Sequence, residues 1–223
     1  MNSSIYLDIG NSNAKWKYSG EYFEEPTNEF SFDKLPKSSK IWASNVSSNF
    51  VIKHKSNISI VKSQKKYKSL VNSYNEPKYL GSDRWLAMIA SYELSLGKGF
   101  IVVDIGSAVT IDIVDNLGLH LGGIIFPGLE KIRQTFDFPI LSLDGNSNKI
   151  GQSTDEAWTI GTRSLIVNTI NHKVRELKEE LQNTSVILTG GGYLGIHDFL
   201  DFDHNYYENL VLDGLEFFAN NMG

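Results

Sequence analysis

The chain has no cysteine among its 223 residues, which excludes disulfides and thiolate metal sites and fits a reducing compartment. Nor does it carry an excess of positive charge. With 21 basic and 26 acidic residues the formal net charge is −5, so no global basic field is available to grip nucleic acid. The densest basic stretch, Lys62 to Lys68, reads as a solvated face. No uninterrupted apolar run approaches the roughly 20 residues of a membrane span. The first strand is expected from about Ser4, which leaves no room for the charged and apolar regions of a signal peptide, so a soluble cytoplasmic protein is expected. The P-loop pattern G-x-x-x-x-G-K-[ST] is also missing.

One short phrase occurs twice. A β-type run leads into Asp8-Ile9-Gly10-Asn11-Ser12, and Ile101-Val102-Val103 leads into Asp104-Ile105-Gly106-Ser107-Ala108. In each copy a buried strand ends in a carboxylate, then a glycine that permits a tight turn, then a hydroxyl that donates to an oxygen. Either copy alone reads as an ordinary hairpin, since these are common turn residues. Two copies, each followed by another β-rich stretch, suggest a duplicated architecture in which each half offers an acidic hairpin to a shared cleft. The chemistry is that of phosphates and metals.

Strands are expected at Ile5 to Leu7, Ala14 to Tyr18, Ile41 to Ala43 and Ile58 to Val61. From Asp83 to Leu96 the apolar residues Leu86, Ala90 and Leu94 recur at helical spacing. A second set follows: strands at 100–104, 109–114 and about 119–125, a helix after Pro127, and a long amphipathic helix from Ser153 to about Leu181. Val186 to Leu188 reads as a buried strand, and Leu210 to Asn220 as a helix or a strand plus helix. Interleaved strands and helices indicate an α/β protein. The expected domains are 1–98 and 99–223, with the C-terminal helix, about 209–223, able to pack back onto the first half.

Gly81-Ser82-Asp83-Arg84 opens the first-half helix. Ser82 or Asp83 serves as an N-cap on the plain reading. Capping does not require an arginine, which the helix dipole disfavours at that end. The functional reading is a carboxylate that takes a proton from a hydroxyl, beside a guanidinium that binds an anion. Gly122-Gly123 through Pro127-Gly128 offers backbone amides to a ligand or relieves crowding. Gly190, Gly192 and Gly195 match the dinucleotide fingerprint, with Asp213 near the expected later position. Only about ten residues follow Asp213, too few for the rest of a doubly wound domain. A glycine-lined wall for adenine or ribose fits better. The histidines (His54, His120, His172, His197, His204) show no ligand spacing and read as surface or structural, and Trp16, Trp42, Trp85 and Trp158 as core or interface residues.

Taken in order, these phrases resemble the type III pantothenate kinases of the acetate kinase, sugar kinase, heat-shock 70 and actin superfamily. Asp8 to Ser12 resembles the first phosphate motif and Gly81-Ser82-Asp83-Arg84 the family's G-x-D-R. Asp104 through Asp112 resembles D-x-G-T-A-x-T-x-D, and Gly122-Gly123 to Pro127-Gly128 resembles G-G-x-I-x-P-G. Ser153-Thr154 with Gly161 resembles a substrate-contacting threonine segment, and Leu212-Asp213-Gly214-Leu215 the C-terminal D-G-L. Ser12 and Ser107 stand where the family often has threonine, and Gly192 where an acidic residue is common.

The resemblance implies a duplicated ribonuclease H-like, actin-like ATPase architecture with a central cleft. It implies ATP-dependent phosphorylation of the terminal hydroxyl of pantothenate, the first step of coenzyme A synthesis. Asp83 would be the general base, and Tyr74, Gly81, Ser82, Asp83, Arg84 and Thr154 would bind substrate. Asp8, Ile9, Gly10, Asn11, Ser12, Asn13, Ala14, Lys15 and Ser107 would face ATP. Asp8 would hold Mg²⁺ through water and Asp104 a monovalent cation, K⁺ or NH₄⁺. A homodimer built on Leu165, Ile166 and Ile170 of the long helix would bring Thr154 to the partner's site, with no nucleic acid or membrane involved. The alternatives are a non-catalytic nucleotide-binding regulatory relative, or a kinase of the same superfamily acting on another small hydroxylated acid or sugar.

Overall fold

The computed structural model describes residues 4–37, 40–52, 56–141 and 150–222. Its first sheet holds β1 (Ile5–Ile9), β2 (Asn13–Tyr18), β3 (Glu21–Pro26), β4 (Ile41–Asn45) and β5 (Ile58–Ile60), in the order β3-β2-β1-β4-β5. A small ribbon, β6 (Lys66–Tyr67) with β7 (Leu70–Val71), precedes helix α1 (Ser82–Leu94). The chain then repeats itself with β8 (Gly99–Ile105), β9 (Ala108–Val114), β10 (His120–Pro127), α2 (Leu129–Arg133), α3 (Thr154–Glu180), β11 (Thr184–Thr189), β12 (Asn205–Tyr206) and α4 (Leu210–Met222). The second sheet runs β10-β9-β8-β11-β12. In both sheets an antiparallel three-strand meander is extended by two parallel strands. The duplication expected from the repeated phrase is therefore a duplication of whole sheets.

Burial follows from the side-chain period of each strand. In β1 the alternate residues Ile5, Leu7 and Ile9 are fully buried, the pattern of a strand with two different faces. That face packs on Trp16, Phe30, Ala43, Phe32 and Phe50. In β8 nearly every residue is buried, so this strand is covered on both sides. Its Phe100 and Val102 join Val114 and Ile187 against α1 and α4, while Ile101, Val103 and Ile105 pack with Ile111 and Ile113 against α3. Tyr6 and Trp42 of the first sheet reach the same α1 and α4 cluster from the opposite side. Thus α1 and α4 lie between the two sheets, and α3 covers the far face of the second.

The two central helices touch backbone to backbone. A Cβ on Gly214 of α4 would overlap the Leu86 carbonyl oxygen of α1, so only glycine allows this approach. The α4 segment is one helix rather than strand plus helix, and the helix after Pro127 is only the short α2. Trp85 is fully buried and Trp16 stacks on Phe23 at 5.4 Å, both as core residues.

The interface proposed on α3 needs correction. Ile166 and Ile170 are fully buried in the protein's own second core, and only Leu165 of that trio is exposed. The apolar stripe that helical spacing revealed faces the second sheet. No helix among the described residues is long and apolar enough to cross a membrane.

Candidate active site at the junction of two acidic hairpins

Each repeated phrase forms a tight turn at the end of its sheet's first strand. Gly10 donates its N–H to the Asn13 carbonyl at 2.9 Å, and Gly106 donates to Ala108 at 3.0 Å. Thr27 bolts the first tip, its hydroxyl donating to the Gly10 carbonyl at 2.8 Å and its N–H to the Ser12 carbonyl at 2.9 Å. The Asn11 side chain accepts the Ser48 N–H at 3.3 Å. Gly128 donates to the Ser107 carbonyl at 2.9 Å and braces the second tip. The two tips meet where the Ser12 and Ser107 hydroxyls lie 2.8 Å apart.

The third element is the start of α1. Asp83 stands in its first turn, and its Oδ1 accepts the Arg84 N–H at 2.8 Å. Ser82 bonds Ser44 at 2.9 Å, and Ser44 is the register neighbour of Asp8 across the parallel β1 and β4 pair. The caps expected of Ser82 or Asp83 are not made, since the N-cap is Gly81. The first turn thus carries Asp83 toward the strand ends.

Asp83 is close enough to raise the pKa of both Asp8 and Asp104, and Asp104 adds to the rise at Asp8. Burial, then the charge of Asp83, pushes both Asp8 and Asp104 up to about 7 from an ordinary 3.8, with Lys15 opposing in each case. Asp83 is likewise raised, first by burial, against the pull of Arg84. Asp8 Oδ1 is buried without a hydrogen-bond partner. An orphaned carboxylate oxygen among like charges is a place where a cation lowers the free energy. No three His, Asp or Glu side chains among the described residues are spaced to cage a metal directly. The donor set therefore fits a hydrated cation such as Mg²⁺, which one or two of these carboxylates would hold.

Arg84 does not simply point into the cleft. Its Nε and Nη2 donate to Asp112 Oδ2 and Oδ1 at 2.8 and 2.6 Å, and its Nη1 donates to the Tyr74 hydroxyl at 3.0 Å. That pairing explains how an arginine sits in a first helical turn. Gly123 lies against the pair: a Cβ there would overlap Asp112 Oδ1 and come within 2.6 Å of Arg84 Nη2. The structure brings Asp8, Ser44, Ser82, Asp83, Asp104, Ser12 and Ser107 together, with Tyr74 reached through Arg84. Thr154 is exposed on the first turn of α3, behind Ser153, whose hydroxyl accepts the Glu156 N–H at 3.2 Å.

The glycine run after β11 opens a 3₁₀ turn rather than a helix, so it is no dinucleotide site. Gly190 has φ +94°, and a Cβ there would come within 2.5 Å of Asp104 Oδ1. Asp213, the supposed ribose acid, instead accepts from Lys17 at 3.2 Å and from Tyr22 at 2.8 Å. Sequence reasoning missed Thr27, Ser44 and the roles of Asp112 and His120. Asp112 had a signal, because a carboxylate within the apolar run Val109 to Val114 demands a buried partner. His54 lies outside the described residues.

The family model for type III pantothenate kinase matches residues 37–176. The type III pantothenate kinase of Hahella chejuensis is 31% identical over 96% of this chain and 96% of its own length. Among solved structures, a Campylobacter jejuni protein assigned to the Baf family of transcriptional activators is 27% identical, with a TM-score of 0.65 and 98% of each chain covered. A Sinorhizobium meliloti protein assigned as a 2-dehydro-3-deoxygalactonokinase, 9% identical with a TM-score of 0.59, covers 98% of this chain and 99% of its own, and shares the fold. The paired sheets, helices and cleft are those of the actin-like ATPase fold, and within it the chain belongs to the type III pantothenate kinase family.

Proposed function

We propose that the cleft between the two hairpins phosphorylates the terminal hydroxyl of pantothenate with ATP, the step that opens coenzyme A synthesis. The observation that carries this reading is the convergence of Asp8, Asp83 and Asp104, drawn from both halves, beneath two joined hydroxyl tips. Phosphoryl transfer needs positioning and charge neutralisation rather than covalent help from the protein.

In this reading the hairpin from Gly10 to Lys15, with Ser107 opposite, lies along the phosphates. Asp8 holds Mg²⁺ through water and Asp104 holds K⁺ or NH₄⁺. Such cations, when bound, neutralise charge on the phosphates and between the carboxylates. Asp83 takes the proton of the attacking hydroxyl, and its raised pKa makes it a better base at neutral pH than an ordinary aspartate. Tyr74, Gly81, Ser82 and Arg84 hold pantothenate, and Thr154 contributes from the second subunit of a homodimer. We take 1–98 and 99–223 as the two domains and the cytoplasm as the compartment, which the lack of cysteine supports.

The test is ATP-dependent formation of phosphopantothenate by the purified protein, with and without K⁺. Transfer that requires both Mg²⁺ and K⁺ supports the reading. The assignment of the Campylobacter jejuni relative as a transcriptional activator is what favours the regulatory alternative. No transfer under any cation combination would favour that alternative.

A further inference from the structure

Asp112 and His120 are 2% and 0% exposed, and neither is among the residues read as holding phosphate or a cation. A carboxylate and an imidazole buried so fully are costly unless their polar atoms are met. They are met by each other and by residues of the first half. Asp112 takes both bonds from the edge of the Arg84 guanidinium, and its Oδ1 also accepts from His120 Nε2 at 3.0 Å. At the other end of the imidazole, Nδ1 lies 3.2 Å from the Ser73 hydroxyl. The imidazole lies face to face with the Tyr74 ring, centroids 6.1 Å apart and planes 15° from parallel. The Arg84 bond to the Tyr74 hydroxyl at 3.0 Å closes the loop.

A second tie runs beside the first. Val71 donates its N–H to the Gly118 carbonyl at 2.8 Å, and Val71 bridges to Leu119 in parallel fashion. The segment carrying Tyr74 is thus pinned to the turn that leads into His120. A guanidinium held at two points by one carboxylate is fixed in plane as well as in place. Its remaining N–H groups then have one direction in which to bind.

We propose that Asp112 and His120 are positioning residues for the acid-binding side of the site. They fix Tyr74 and the unengaged N–H groups of Arg84 at the spacing one pantothenate needs, without touching the substrate. The inference rests on the reading of Tyr74 and Arg84 as pantothenate contacts. The hairpin tips Ser12 and Ser107, where phosphate is read to bind, share no hydrogen bond with this ring.

Steady-state kinetics with pantothenate and ATP varied separately test it. His120→Gln keeps a donor for Asp112 but loses the ring that stacks on Tyr74, and should raise the KM for pantothenate about ten-fold. Ser73→Ala, at an exposed position that leaves folding intact, should raise it about three-fold. In both variants the KM for ATP should stay within about two-fold. Tyr74→Phe should add little on top of His120→Gln, because both disturb one unit. Equal rises in both KM values, or an unmoved pantothenate KM in an active Ser73→Ala variant, would overturn the inference alone. Wild-type protein that transfers no phosphate to pantothenate would overturn the functional reading and this inference with it.

Discussion

Ser12 and Ser107 stand 95 positions apart in the sequence, yet their hydroxyl oxygens meet at 2.8 Å. The contact joins the turn of one sheet to the turn of the other. One hydroxyl spends its single proton on the other in this contact, and the accepting hydroxyl keeps its proton for a phosphate oxygen. Ser12→Ala and Ser107→Ala should each raise the KM for ATP about five-fold and move that for pantothenate less. The double variant should cost less than the two singles combined, since both remove the same contact. Additive effects in a full kinetic cycle would argue against a shared role.

Asp83→Asn should lower kcat by about 10² to 10⁴ while leaving ATP binding and the circular dichroism spectrum near those of wild type. A variant that keeps more than about half of wild-type kcat would exclude Asp83 as the base.

The carboxylate cluster should give stability an unusual pH dependence. Asp8 and Asp104 titrate near 7 when folded and near 3.8 when unfolded, so between about pH 4 and 7 the folded chain holds protons that the unfolded chain has released. Stability from this source is full below about pH 4 and is lost as pH rises through 7. Melting temperature of the cation-free protein should fall across that window. Added Mg²⁺ and K⁺ should raise it more at about pH 8 than at pH 5.5, because cations bind the ionised carboxylates. Asp8→Asn should flatten the pH profile while reducing turnover. Thermal melts at fixed ionic strength distinguish this from general screening.

Gly214→Ala should be destabilising despite the helix preference of alanine, because its methyl would overlap the Leu86 carbonyl. A drop in Tm of about 3–10 °C is expected. An unchanged melting temperature would mean that α1 and α4 can separate at little cost.

Thr154→Ala should raise the KM for pantothenate more than that for ATP if a partner subunit completes the site. Mixing it with Asp83→Asn should restore about a quarter of wild-type activity, since half the dimers would then carry one intact site. Full activity in a protein that sediments as a monomer would refute the shared site.

The repeated Asp-Ile-Gly phrase made the paired sheets and the two acidic tips legible, because strand, carboxylate and turn follow directly from those residue types. β3 was not legible: Glu21 to Pro26 is an exposed edge strand without apolar alternation. The periodicity of α3 located a helix and its apolar stripe, but spacing does not say what the stripe faces, and Ile166 and Ile170 turned out to face the second sheet. Arg84 read as a free anion binder because its partner lies in another strand of the other half. Gly214 was visible as part of a motif, while its reason, a helix backbone passing at contact distance, exists only in three dimensions.

The position of α4 between the sheets also governs how the molecule comes together. Lys17 of β2 bonds Glu216 of α4 at 2.7 Å across 199 positions of sequence, and Tyr6 and Trp42 pack into the cluster that α4 completes. The face of the N-terminal sheet that carries Tyr6 and Trp42 therefore lacks its α4 cover until residues near 210–222 arrive. Loop-closure entropy on that scale slows folding, and a half-finished sheet is an aggregation hazard on the ribosome. The sheet that is made first is the one that must wait longest for its cover.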